Sequence, residues 1–104
     1  MAGPERPVVW TRLADRDLEQ DFAYLRERSP QTAQRFAADI FAAVEKLERH
    51  PELGPIARDI TPIGRYRHLP VGRHRILYRI DDGTLLILRV WDTRRDPDEL
   101  EPGQ

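Results

Sequence analysis

Arg65, Arg67, Arg73, Arg75, Arg79, Arg89, Arg94 and Arg95 fall within residues 64–95, a stretch that holds only three aspartates. A guanidinium is always charged and presents a planar fork of donors that matches phosphate and carboxylate alike. Two kinds of chemistry follow. The cluster can grip the phosphates of a nucleic acid, with Trp91 as a stacking platform for bases, or it can clamp an acidic peptide. The candidate contact residues are Arg65, Arg67, Arg75, Arg79, Arg89, Trp91, Arg94 and Arg95. A plainer account competes for each one: the stem lies along the sheet and the head pairs with a nearby Asp or Glu. The ratio of 16 arginines to one lysine also reads as a coding bias. Density argues for the group and not for any single member.

Other chemistries find little support in the residues. The chain has no cysteine, which removes thiolate metal sites, disulfides and cysteine nucleophiles together and suits a reducing compartment. His68 and His74 read as hydrogen-bonded histidines beside a core, and without cysteine or a helical HExxH pair they make no zinc pattern. The acids follow no calcium-loop spacing. A glycine-rich phosphate loop and a GxSxG elbow are both missing. No metal and no cofactor is therefore expected. The opening MAGPERPVV is no signal peptide and no run approaches a membrane span, so a cytoplasmic protein without a membrane partner is expected.

The net charge of −1 conceals an uneven distribution. Residues 1–63 carry 9 basic and 11 acidic groups, residues 64–95 are locally +5, and residues 96–104 carry four acids alone. A chain of 104 residues fits one domain that buries roughly 60–70% of its unfolded surface.

The elements that must position the arginines can be read from periodicity. Val8, Val9 and Trp10 form a short β-prone run, and Thr11 is placed to cap a helix. Ala14, Leu18, Phe22 and Leu25 then trace one stripe of a helix ending near Arg28, with Asp15, Arg16, Glu19, Gln20 and Arg26 facing water. Ser29 and Pro30 start a second helix, whose buried face runs through Ala33, Phe36, Ala37, Ile40, Val44 and Leu47 until Pro51 and Gly54 stop it. After an irregular connection the period changes to two. Strands are expected at 64–69, 74–80 and 85–91, separated by Pro70-Val71-Gly72 and by Asp82-Gly83, a strong hairpin signal. Alternation sends His74, Ile76, Tyr78 and Ile80 to the core, and Arg73, Arg75, Leu77 and Arg79 to the other face beside Arg65 and Arg67. Arg89 and Trp91 share a side of the last strand. The expected fold is α+β in the order β-α-α-β-β-β: a helical hairpin packed on an antiparallel sheet. One domain spans residues 1–104, with a core at about 8–95 and a frayed acidic tail at 96–104.

Four segments carry a resemblance to a known family. They are Ala14, Asp17, Leu18 and Tyr24 in the first helix; residues 36–47 followed by HPELG at 50–54; RYRHLPVGRHRILYRI at 65–80; and LRVWDTRRDP at 88–97. In this order and spacing they resemble the RelE/ParE toxin superfamily of bacterial toxin–antitoxin modules, also described as plasmid stabilisation proteins. The resemblance implies the toxin component of a type II system, in one of two branches. RelE-like members cleave messenger RNA on the ribosome, for which Arg67, Arg75 and Arg94 would stabilise charge on phosphorus; after Trp91, however, this chain has no Tyr or His to move a proton. ParE-like members inhibit DNA gyrase by protein contact and need no catalytic residue, and the RRDP ending resembles theirs. Many such sequences carry His where this one has Asp92. Either branch implies a cognate antitoxin that wraps an acidic, initially disordered segment around the toxin, with operator DNA reached only through it. A non-toxic binding scaffold of the same fold is the third reading.

Overall fold

The structure is a computed structural model that describes residues 6–103; positions 1–5 and 104 of the expected domain lie outside the described residues. Strand β1 (Val8–Trp10) hands over to helix α1 (Arg12–Arg28) at Thr11, whose hydroxyl accepts from the Ala14 amide at 3.3 Å. The same hydroxyl donates towards the carbonyls of Ile87 and Leu88 at 3.0 and 3.1 Å, so one side chain caps the helix and ties it to the sheet. Helix α2 (Pro30–Arg49) follows with Ser29 as the only residue between the helices. Ser29 is extended; its amide donates to the Leu25 carbonyl of α1 at 2.8 Å, and its hydroxyl accepts from the Thr32 amide of α2 at 3.3 Å. So short a joint leaves the helices no option but to pack antiparallel.

Strands β2 (Arg67–Val71), β3 (His74–Asp81) and β4 (Thr84–Asp92) complete a sheet in the order β1-β4-β3-β2. The pairs β2–β3 and β3–β4 are antiparallel, as expected, while β1 runs parallel to β4, so the sheet is mixed. The reason is the helical hairpin. It carries the chain across to the far edge, and two further reversals return β4 beside β1 in the same direction. Strand β2 begins later than the sequence pattern indicates and continues through Pro70 and Val71; proline is tolerated there because β2 is an edge strand. Asp82 and Gly83, at φ 51° and 79°, make the tight β3–β4 turn that their types demand.

Two apolar layers enclose the sheet. On the helix side, Ala14, Ile40, Ala43, Val44 and Leu47 pack on Ile76, Tyr78, Leu85, Ile87 and Val90. On the reverse side, Ala57, Ile60, Tyr66 and Leu100 cover Leu77, Leu88 and Trp91. The sequence pattern leaves that second face open to solvent. It is closed because the connection after α2 folds back over it: the Ala57 amide donates to the Tyr66 carbonyl and the His68 amide to the Pro55 carbonyl. Where that connection leaves α2, Gly54 sits so close to β2 that a Cβ there would lie 2.5 Å from the His68 carbonyl oxygen. The described tail residues 96–103 are not simply frayed. They include a 3₁₀ turn (Pro97–Glu99), and Leu100 is buried against the reverse cluster. Ile80, expected in the core, is an exposed residue near the end of β3.

Candidate functional site

Alternation along β3 turns Arg75 and Arg79 to the reverse face, as expected, but that face is covered and their side chains are only 11% and 12% exposed. Arg75 donates two bonds to Asp59 at 2.7 and 2.9 Å, and Arg79 pairs with Asp81 at 3.2 Å. The Arg75 fork holds the Asp59 carboxyl below its usual range, and burial together with the Arg75 charge pushes the His68 imidazole down, so His68 is neutral at pH 7. Arg67 does not join Arg75. It lies opposite Tyr78, hence on the helix side, and donates to the Gly54 carbonyl at 2.8 Å. Arg65 is exposed, 5.8 Å from the Tyr66 ring.

A bulge in β4 decides the fate of Arg89. Leu77 pairs with Arg89 while Tyr78 pairs with Ile87, which leaves Leu88 as the extra residue and moves Arg89 out of the alternation that Leu85 and Ile87 begin. Strand β1 pairs only as far as Ile87, so beyond it α1 takes over the edge of β4. Asp17 of α1 receives Arg89 through two nitrogens at 2.7 and 2.9 Å and the Val90 amide at 3.1 Å, while Arg89 also donates to the Glu101 carbonyl at 2.9 Å. Arg89 and Trp91 are both buried, so neither is a free contact residue. Trp91 lies between two guanidiniums, with Arg89 at 5.0 Å and Arg95 at 4.0 Å from its ring. Arg94 is exposed and forks Asp92, with contacts as short as 2.6 Å that hold this carboxyl down at about 2. Of the expected contact residues, only Arg65, Arg94 and Arg95 are exposed.

The principal concavity lies on the helix side instead, where the tip of the helical hairpin meets the β2–β3 turn and the end of β4. A cleft of about 460 Å³ has Tyr24, Leu25, Phe36 and Val71 for its apolar floor, with Arg28, Arg35, Arg73 and Arg94 around it and Asp39 beside them. Arg28 stacks on Tyr24, its guanidinium 3.7 Å from the ring. An adjoining pocket of about 180 Å³ brings in Asp21, His74 and Asp92. His74 and Asp92 are direct cross-strand partners, and Asp21 reaches down from α1 to His74 Nε2 at 2.8 Å. Phe36 packs on the imidazole with centroids 4.5 Å apart. Among the described residues, Asp21, His74 and Asp92 are the set whose donor atoms come close enough to consider a metal ion, all lying within 4.8 Å of one another. Arg28, Arg35 and Asp21 are not marked by the density of arginine in the strands, which points away from the helices. Tyr24 was the one available signal: a large aromatic on α1 outside the buried stripe.

This fold and this distribution of basic groups can be set against known proteins. The description "ParE toxin of type II toxin-antitoxin system, parDE" belongs to a family whose model matches residues 8–97, nearly the whole chain. The chain belongs to the ParE toxin family. Among solved structures it is similar to the chromosomal ParDE system of P. aeruginosa, with 21% identity, a TM-score of 0.70, and coverage of 85% of this chain and 96% of that one; at this identity the likeness shows the fold. It is also similar to a chain of the RelBE2 toxin–antitoxin complex of Mycobacterium tuberculosis, with 29% identity, a TM-score of 0.60, and coverage of 86% and 99%. No match was found among curated proteins. As a ParE-family toxin, the chain has the two-helix hairpin and four-stranded mixed sheet common to the RelE/ParE fold. None of the helices among the described residues is long and apolar enough to cross a membrane.

Proposed function

We propose that this toxin acts in the cytoplasm by protein contact, with DNA gyrase as its target, and is neutralised by a cognate antitoxin through which alone it reaches operator DNA. One observation carries the reading. Arg67, Arg75 and Arg94, which a ribonuclease would need on one scissile phosphate, engage three separate acceptors: the Gly54 carbonyl, Asp59 and Asp92. Groups turned to three separate acceptors in different places are poorly placed to stabilise one developing charge, because electrostatic catalysis depends on donors already aimed at a common point. The cleft has the opposite character, with an apolar floor and basic residues around it, which suits an apolar anchor of a peptide flanked by acids. Inhibition of purified gyrase supercoiling, relieved by the antitoxin encoded beside this toxin, is the expected result. Codon-dependent message cleavage in a translation extract, with gyrase unaffected, would overturn it.

The ribonuclease alternative gains one group from the fold: His68, neutral and electrostatically coupled to Arg75 and Asp59 on the reverse face. It would supply the proton carrier that the sequence lacks after Trp91, so His68→Gln would abolish any message cleavage found. A chain inactive in both assays and harmless when overproduced would be a binding scaffold for its antitoxin.

A further inference from the structure

The small pocket beside the cleft brings together donors that the sequence keeps far apart: Asp21 on α1, His74 at the start of β3 and Asp92 at the end of β4. We propose that these three residues bind a divalent transition-metal cation of the zinc class, and that Arg94 competes with the cation for Asp92. One donor atom from each residue lies within 4.8 Å of the other two, and His74 Nε2 and Asp21 Oδ2 are 2.8 Å apart. Bound zinc, with ligands at about 2.0–2.2 Å in a tetrahedron, holds neighbouring donors roughly 3.3–3.6 Å apart, so the His74–Asp21 pair opens slightly and gives up the proton it shares while the more distant donor draws in.

The set is chemically selective. One imidazole and two carboxylates, with no sulfur, suit zinc, manganese or cobalt better than a soft monovalent ion. His74 is the rigid member: it is 7% exposed and backed by the Phe36 ring, so its orientation is set before any ion arrives. Besides the three donors the pocket is lined by Tyr24, Leu25 and Arg94, and its volume of about 180 Å³ leaves room for water to complete the coordination. Three ligands and an open position is the form in which zinc commonly sits in reactive sites.

Arg94 is what stands in the way. Its Nε and Nη2 cover both Asp92 oxygens at 2.6–3.2 Å, yet its side chain is 57% exposed and free to swing away. Cation and guanidinium therefore exclude each other at Asp92. An ion drawn into the pocket would clip the end of β4 to α1 and release the Arg94 head at the margin of the larger cleft. The site stands independently of the gyrase reading, since it concerns only these side chains and the ion.

The test is calorimetric titration of the full chain, first stripped with chelator, using Zn²⁺ in a non-coordinating buffer. One equivalent is expected to bind, tightened about tenfold or more by Arg94→Gln and weakened at least tenfold by Asp92→Asn. Titration with Co²⁺ gives a second readout, visible absorption with nitrogen ligation in the parent and none in His74→Gln. Asp92→Asn lies at a partly exposed position, and circular dichroism checks that it stays folded. Absence of stoichiometric binding would overturn the proposal. So would binding that is indifferent to Asp92→Asn, which would locate the ion at other histidines such as His50 or His68, or an Arg94→Gln variant that binds no more tightly than the parent.

Discussion

Arg89 and Arg94 stand near one another along the chain, and each holds an aspartate with two guanidinium nitrogens, yet the two pairs do opposite things. Arg89 reaches Asp17, 72 residues away, with both side chains at 10% exposure or less. Arg94 reaches Asp92, two residues away, from a side chain 57% exposed. The first pair closes the edge of β4 where β1 stops and links α1 to the strand and to the tail. The second is a local clasp that water and any competing ligand can reach. Chemical identity is the same in both, so the difference lies in desolvation: a buried fork left half-made strands a charge, while an exposed one exchanges its partner for water.

The comparison breaks most visibly at Asp17. Asp17→Ala leaves the Arg89 charge without its carboxylate and the Val90 amide without its acceptor, and should cost about 3–5 kcal/mol in urea unfolding. A loss below about 1 kcal/mol would mean that the pair is solvated in solution. Leu100→Ala comes next, at about 2 kcal/mol or more, because it uncovers Trp91 and Leu77 on the reverse face; an unaltered denaturation midpoint would return the tail to the frayed state that its composition suggests. A smaller effect is expected at the cleft. The double charge reversal Arg35→Glu with Arg73→Glu should weaken antitoxin binding by tenfold or more at low salt, while Arg65→Glu, exposed but outside the cleft, changes it little.

The smallest effect belongs to the exposed clasp. Arg94→Gln should lower the denaturation midpoint at pH 7 only slightly, because water replaces an exposed partner, and should raise the Asp92 titration, followed by carboxyl NMR, from about 2 towards 3.8. The sign follows from the depressed value. A carboxylate that is easier to ionise when folded stabilises the fold above its ordinary pKa, and that contribution disappears as pH falls through about 2. In the variant the window closes, so acid unfolding between pH 4 and 2 should become less steep. An unmoved Asp92 titration would show that His74, and not Arg94, holds this carboxyl down against the opposing effect of burial.

Much of the fold was legible along the chain because its signals are local. Thr11 and Ser29 mark the helix starts through their own hydroxyls, Pro51 and Gly54 end α2, and Asp82-Gly83 turns β3 into β4 by tolerating positive φ. The stripe through Ile40, Val44 and Leu47 follows from a period that needs no partner to be seen. The candidate site was less legible, because the exposure of a charge depends on what covers it. Nothing in the alternation of β3 announces that residues 57–66 and Leu100 fold over Leu77 and Trp91 and bring Asp59 to Arg75.

Residue order by itself determined the helical hairpin, the three antiparallel strands, the excess of arginine in the sheet segment and the ParE-type ending, since each rests on neighbours within a few positions. Tertiary structure alone decided which arginines are free. The Leu88 bulge and the early end of β1 bury Arg89 against Asp17, the returning connection ties Arg75 to Asp59, and cross-strand pairing sets His74 beside Asp92 under Asp21. These contacts join residues far apart in sequence, and the charged groups in them are specified by burial and geometry rather than by periodicity.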